Sequence, residues 1–342
     1  MSPRGPQHHR PANQADVARL AGVSTQTVSR VVSGQSSVRP DTAARVQAAI
    51  EQLGYRVQAV AASLASGRTR LLGVMIVSND RYSLSALGVG VEQTAAGLGY
   101  TVTTAAVAEH ASIDAFLQAF DRLERQGAEG IVLAVPIDLD SPEMRLRTHR
   151  TPTVRSDRAA LDPRSPFAVD QALISRLAVD HLLDLGHANV WHVSGDEYWV
   201  ETEVRRASWR ESLEARGIVP PEAIPGDWTP ESGYRAGRIL AGIPEATAVY
   251  VSSDEMAFGV LRALHEAGRR VPEDVSVVSV DGIPLGAYAT PALTTVRQPF
   301  EDLGRAAALR LIAQIEGGPV GALPATLPEL VQRSSTAPPR AR

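Results

Sequence analysis

The chain contains no cysteine, which excludes disulfides, thiolate metal sites and a cysteine nucleophile. It also lacks lysine, so all 34 of its basic residues are arginine, a bias that fits a GC-rich genome better than a special binding chemistry. Aromatic residues are sparse at 5%. No apolar run approaches membrane-spanning length, and residues 1–12, with Arg4, Pro6, His8 and His9, lack the apolar core of a secretion signal. They are expected to form a disordered tail, and the protein is expected in the cytoplasm with no membrane partner. No P-loop, Gly-x-Ser-x-Gly elbow or His-Glu-x-x-His pair occurs, and Gly88-Val89-Gly90 lacks the third glycine and preceding strand of a dinucleotide loop. Asp138 and Asp140 lie in a polar, proline-flanked loop that favours solvation over catalysis. No catalytic constellation, cofactor or metal site is therefore expected. Hydrophobic and charged contents of 44% and 21% are those of an ordinary globular protein, and 342 residues exceed one small core.

What is present begins at residue 13. Asn13 suits an N-cap, with Asp16 following in the first turn and Val17, Leu20 and Ala21 at helical spacing. Gly22 ends that helix and Ser24 opens a second, in which Val28, Val31 and Val32 turn inward. Thr25, Gln26, Thr27, Ser29 and Arg30 are then its polar face. Short polar groups at a helix start, with an arginine one turn on, suit base-edge reading in the major groove. Asp41 and Thr42 open a third helix over 43–53, closed by Gly54. Residues 1–70 hold nine arginines against three acidic residues, a net of +6, so the remainder carries −10. A basic head on an acidic body concentrates phosphate attraction in one place. The head is read as residues 13–56, followed by a hinge or linker over 57–69 in which Leu64 is a candidate apolar wedge for the minor groove.

Beyond Arg70 the periodicity changes. A continuous apolar run at 71–77 and strand-like segments at 100–106, 130–135, 189–193, 248–251 and 275–280 alternate with helical stretches at 84–98, 113–126, 171–185, 203–215, 231–240 and 254–267. This alternation predicts an α/β core of two doubly wound parallel sheets, with a ligand cleft beyond the carboxyl ends of the strands. Polar and aromatic residues gather at those ends: Asp157, Arg205, Trp228, Asp254, Asp281 and Phe300. Carboxylates and an arginine beside two aromatics suit a sugar, whose hydroxyls take charged hydrogen bonds and whose ring packs on indole and phenyl. Asp254 is expected to cap the helix it opens, Trp209 to lie in the core, and His181 and His187 to meet a helix dipole.

The string DVARLAGVSTQTVSRVVSG over 16–34, with RRVPEDVSVV over 269–278 and PALTTVRQP over 291–299, resembles the lactose-repressor (LacI/GalR) family of bacterial transcription regulators over nearly the whole chain. The resemblance implies a helix-turn-helix head, a hinge helix and a periplasmic-binding-protein-like core. It implies an N-subdomain of about 70–168 and 298–325, and a C-subdomain of about 169–296 and 328–336, with 337–342 as a tail. It further implies a homodimer on a near-palindromic operator, base reading by Thr25, Gln26 and Arg30, and intercalation by Leu64. The hinge departs from the family pattern at Val57, Gln58 and Ala62. Arg205 and Asp281 fall on the effector-holding arginine and aspartate, and Asp157, Trp228 and Phe300 on further pocket positions. Ser253 stands where asparagine is usual, and Arg81 where the lactose branch is apolar. The implied activity is repression relieved by a small sugar, a galactoside or another disaccharide. The alternative is a purine or other metabolite acting as corepressor. The polar, proline-containing end without heptads predicts a dimer, not a tetramer.

Overall fold

The computed structural model describes residues 12–32, 38–55, 67–78, 81–135, 141–155, 169–321, 323 and 327–340. The chain forms two compact units, residues 1–69 and 70–342. The hinge positions Val57, Gln58, Ala62 and Leu64, the pocket candidate Asp157, and Asp138 and Asp140 lie outside the described residues, as do residues 1–11.

In the first unit, α1 (Gln14–Ala21) starts at a reciprocal cap. Asn13 Oδ1 accepts from the Asp16 amide at 3.0 Å while Asp16 Oδ2 accepts from the Asn13 amide at 3.0 Å. Gly22 stops the helix at φ 65°, and Ser24 Oγ accepts from the Thr27 amide at 3.1 Å to start α2 (Thr25–Val32). Helix α3 (Pro40–Leu53) begins three residues earlier than its sequence suggests, because Pro40 is suited to a first helical position. The shared core is Val17, Ala18, Ala21, Val28, Val46 and Ala49. Leu20, expected on the buried face, is instead 46% exposed, and Val31 and Val32 are only half-buried. Three short helices enclose too little volume to cover every apolar residue at the right spacing.

The second unit contains two sheets. The first is built from β1 (Leu71–Ser78), β2 (Thr101–Ala108), β3 (Gly130–Ala134) and β4 (Thr153–Arg155), all parallel, in the order β2-β1-β3-β4. Between them run α4 (Tyr82–Gly97), α5 (Ile113–Arg125) and α6 (Pro142–Arg150). The second sheet follows α7 (Gln171–Asp184) and uses β5 (Trp191–Val193), β6 (Ala248–Val251), β7 (Ser276–Asp281), β8 (Thr294–Arg297) and β9 (Glu329–Val331) in sequential order. Helices α8 (Val200–Glu214), α9 (Pro230–Ala241) and α10 (Asp254–Glu266) make its crossovers, and α11 (Phe300–Glu316) returns to pack on the first sheet. The expected parallel pattern holds for every strand pair but one: β9 runs antiparallel to β8. Strands β3 and β6 are buried throughout, which is why their sequences are unbroken apolar runs, while the equally buried part of β7 also carries Ser276 and Ser279.

The end of the chain is not a free tail from residue 337. Ala337 C=O accepts from Ser276 Oγ at 2.9 Å and from His187 Nε2 at 3.0 Å, and Arg340 reaches Asp274 at 3.4 Å. His181 likewise bonds Thr336 through Nε2 at 2.9 Å. The helix-dipole role expected of both histidines needs cations, but burial lowers their pKa values and they act as neutral ties for this segment.

Candidate functional site

Helix α2 presents Thr25, Gln26 and Arg30 to solvent, while Ser29 and Thr27 are half-buried. Thr27 Oγ1 lies 2.9 Å from Ser24 Oγ, so its hydroxyl already helps to fix the helix start. Gln14 Nε2 donates to the Thr25 carbonyl at 3.0 Å and anchors that start on α1. The surface is polar, rigidly capped and ends in a guanidinium, as reading of base edges requires.

In the second unit a cavity opens at the carboxyl ends of both sheets. The structure brings Arg205, Trp228, Ser253, Asp281 and Phe300 to its walls together. Five segments separated by up to about a hundred residues of chain thus meet, as the strand-end rule anticipates.

Arg205 is 4% exposed. Its Nε donates to Gln171 Oε1 at 2.8 Å and its Nη1 to the Ser252 carbonyl at 2.6 Å, which fixes the plane of the guanidinium. Asp281, at the end of β7, sits at φ 113°, an uncommon backbone region for a residue with a Cβ. One of its oxygens accepts from Gln298 Nε2 at 2.7 Å. Burial, Glu255 and Asp254 raise its pKa, and Arg205 opposes them only in part. Trp228 is also left-handed, at φ 70°, and its ring lies so close to Gly195 that a Cβ there would meet it at 2.1 Å. Only glycine can stand beneath that ring. Trp228 Nε1–H is buried with no acceptor among the described residues. Phe300 opens α11 and meets Tyr82 edge-on, with ring centroids 6.3 Å apart.

Ser253 both lines the cavity and caps α10, accepting from the Met256 amide at 3.1 Å. The expected cap, Asp254, is instead the first helical residue and is fully buried. It ties β7 to β8, accepting from Ser279 Oγ, from Thr295 Oγ1 at 2.7 Å and from the Ile283 amide at 2.7 Å. Burial pushes its carboxyl up to about 6 from an ordinary 3.8. The folded state therefore holds a proton that the unfolded chain has already released, and this stability is full below 3.8 and lost as pH rises through about 6. The interval corresponds to about 3 kcal/mol. We expect Asp254→Asn to flatten this fall when unfolding free energies are measured between pH 4 and 7. His192, held down at about 3 by burial, acts in the opposite sense, so the wild-type minus variant difference is the quantity to follow. Parallel curves would refute the assignment.

Several lining residues carry no signal in the sequence: Gln171, Trp199, Glu201, Glu255 and Gln298. Trp199 and Glu201 follow β5, so the strand-end rule could have flagged them. Arg81 stands out there only as a departure from the family pattern. Its guanidinium lies 4.2 Å from the Trp199 ring centroid and pairs with Glu109, which also accepts from Trp199 Nε1 at 3.0 Å. His110 Nε2 meets Asp196 at 3.1 Å, and Tyr198 OH donates to the Ala111 carbonyl at 3.4 Å. These bonds join the loop after β2 to the loop after β5.

Residues 15–58 match the family described as bacterial regulatory proteins, lacI family, and residues 179–336 match a periplasmic binding protein-like domain. The chain is 32% identical to the ribose operon repressor of Escherichia coli K12 over 309 residues, covering 89% of this chain and 93% of that one. It is also 32% identical to the lactose operon repressor of the same organism over 334 residues, 96% of this chain and 92% of that one. The chain belongs to the lacI family. A solved lac repressor dimer, bound to operator and the anti-inducer ONPF, superposes with a TM-score of 0.85 at 30% identity, covering 96% of this chain and all of that one. As a lacI-family member the protein is a bacterial transcription regulator, with its helix-turn-helix in the first unit and its binding-protein-like core in the second. Among the described residues no helix is long and apolar enough to cross a membrane, and no cluster of metal-ligating side chains occurs.

Proposed function

We propose that the protein is a sequence-specific repressor that binds a near-palindromic operator as a homodimer in the cytoplasm and is released by a small sugar. A galactoside or another disaccharide is the favoured effector, and the core acts by binding, not catalysis. The observation that carries this reading is the cavity itself. A buried arginine and a partly buried aspartate, held by Gln171 and Gln298 and not by each other, face it together with an indole and a phenyl ring. Hydroxyls satisfy both charged groups, and the apolar face of a pyranose suits the rings. Operator-repressing relatives that act on ribose and lactose operons support the same conclusion. Leu64 and Asp157 enter the proposal from their sequence positions alone.

Thr25, Gln26, Ser29 and Arg30 would read bases. Arg30→Ala is expected to weaken specific operator binding by about 1–3 kcal/mol, roughly 5- to 150-fold, and to leave sugar affinity unchanged. Fluorescence anisotropy with labelled operator, beside calorimetry with the sugar, separates the two effects. The proposal as a whole is tested by thermal-shift screening against galactosides, glucosides, other disaccharides and purines, followed by operator release with whatever binds. A sugar that stabilises the protein and lowers operator affinity supports it. Stabilisation by purines alone, with tighter operator binding, would replace it with a corepressor.

A further inference from the structure

Helix starts surround the cavity. The first turns of α4, α8, α10 and α11 contribute Ser83, Glu201, Glu255 and Phe300 to its walls. Unpaired amides and the helix dipole favour an anion at such ends, so a ring of them would ordinarily suit a phosphate or carboxylate ligand. Here the chain supplies its own anions. Glu201 lies in the first turn of α8 and Glu255 in that of α10. Glu255 Oε1 also accepts from the Tyr82 amide, the first of α4, at 3.5 Å. Asp281 adds a third carboxyl group, which burial and Glu255 push towards its neutral form. Against Glu201 and Glu255 stand two arginines among the described lining residues, and the charge of Arg81 is matched by Glu109.

We infer that the cleft selects an uncharged, hydroxyl-rich ligand and rejects its phosphorylated and acidic counterparts, with Glu201 and Glu255 setting that selectivity as resident anions. The inference rests on the sugar reading above and narrows it. A second observation comes from hydrogen-bonding capacity. Trp228 Nε1–H is buried, lines the cavity and lacks an acceptor among the described residues. A sugar hydroxyl can accept from it and donate to a neighbouring carboxylate, whereas an ionised phosphate offers acceptors only. Placed beside Glu201 and Glu255 in a site of low dielectric, that phosphate meets like charge.

The test uses the full chain and four matched series: galactose, glucose, ribose and the disaccharide lactose, each beside its terminal phosphate ester, with galacturonate and glucuronate added. Thermal shift ranks them and calorimetry supplies affinities. The expected result is that the neutral sugar which binds does so at least about tenfold more tightly than its phosphate or uronate. Glu255→Gln and, separately, Glu201→Gln should each narrow that ratio severalfold. A phosphate or uronate that binds as well as its parent sugar would overturn the inference while leaving the sugar reading intact. A ratio unchanged in both folded variants would remove Glu201 and Glu255 from the role. No response to any sugar, neutral or charged, would overturn the sugar reading and this inference with it.

Discussion

Arg205→Ala is expected to abolish the effector response and leave operator binding intact. The wild-type side chain is 4% exposed and held by Gln171 and the Ser252 carbonyl, so the guanidinium is already oriented before a ligand arrives. A hydrogen bond to a charged group contributes about 1.5–3 kcal/mol, and its loss leaves Gln171 Oε1 and the Ser252 carbonyl short of a donor. Arg205 also restrains the upward pKa shift of Asp281, so its removal further weakens the second anchor. Together these effects should lower sugar affinity by about 3–4 kcal/mol, roughly 200- to 1000-fold. Arg205→Lys should not restore it, because a point-charge ammonium cannot hold both existing partners in the plane of the fork. Calorimetry with the sugar and anisotropy with operator give the two readouts. An affinity within about threefold of wild type would place the ligand elsewhere.

The largest effect on stability is expected at the crossing of α9 and α10. A Cβ on Gly259 would meet the Pro230 carbonyl oxygen at 1.9 Å and the Tyr234 amide nitrogen at 2.5 Å, and one on Gly233 would meet the Met256 carbonyl oxygen at 1.9 Å. These are backbone atoms within helices, so no rotamer change relieves the overlap and the helices themselves must separate. Gly259→Val should therefore cost about 3–5 kcal/mol, enough to leave little folded protein. The same movement would displace Ser253 and Glu255, which stand at the start of α10 in the cavity wall. Gly88, inside α4, is the control, because a Cβ there would have no neighbour within 4 Å. Gly88→Ala should be neutral or stabilising by up to about 1 kcal/mol. Thermal melts of both variants decide the matter: equal melting temperatures would refute the close-packed crossing.

Some corrections trace to local competition. Ser253 and Asp254 are both good cap residues, and the choice between them turns on a distant demand. Ser279, Thr295 and the Ile283 amide require a buried acceptor between β7 and β8, and Asp254 meets that need only from one residue inside the helix. Leu20 fits its helical stripe, yet no described residue packs over it closely enough to bury it. Strand β8 escapes notice in the sequence because four residues, three of them buried, carry little periodicity of their own.

The head helices are legible from local sequence, since caps such as Asn13 with Asp16 and Ser24 with Thr27 are bonds between residues three apart. The α/β alternation is legible as well, because strands buried on both faces must be apolar throughout. The family motifs mark Arg205, Trp228 and Asp281. What surrounds those three depends on the folded chain. Arg81 meets Trp199 and Gln171 supports Arg205 only after segments far apart in the chain converge on one cleft, and no local pattern encodes which side chains such a convergence will face. That is why Glu201 and Glu255, ordinary first-turn acids in the sequence, become the carboxylates that line the cavity.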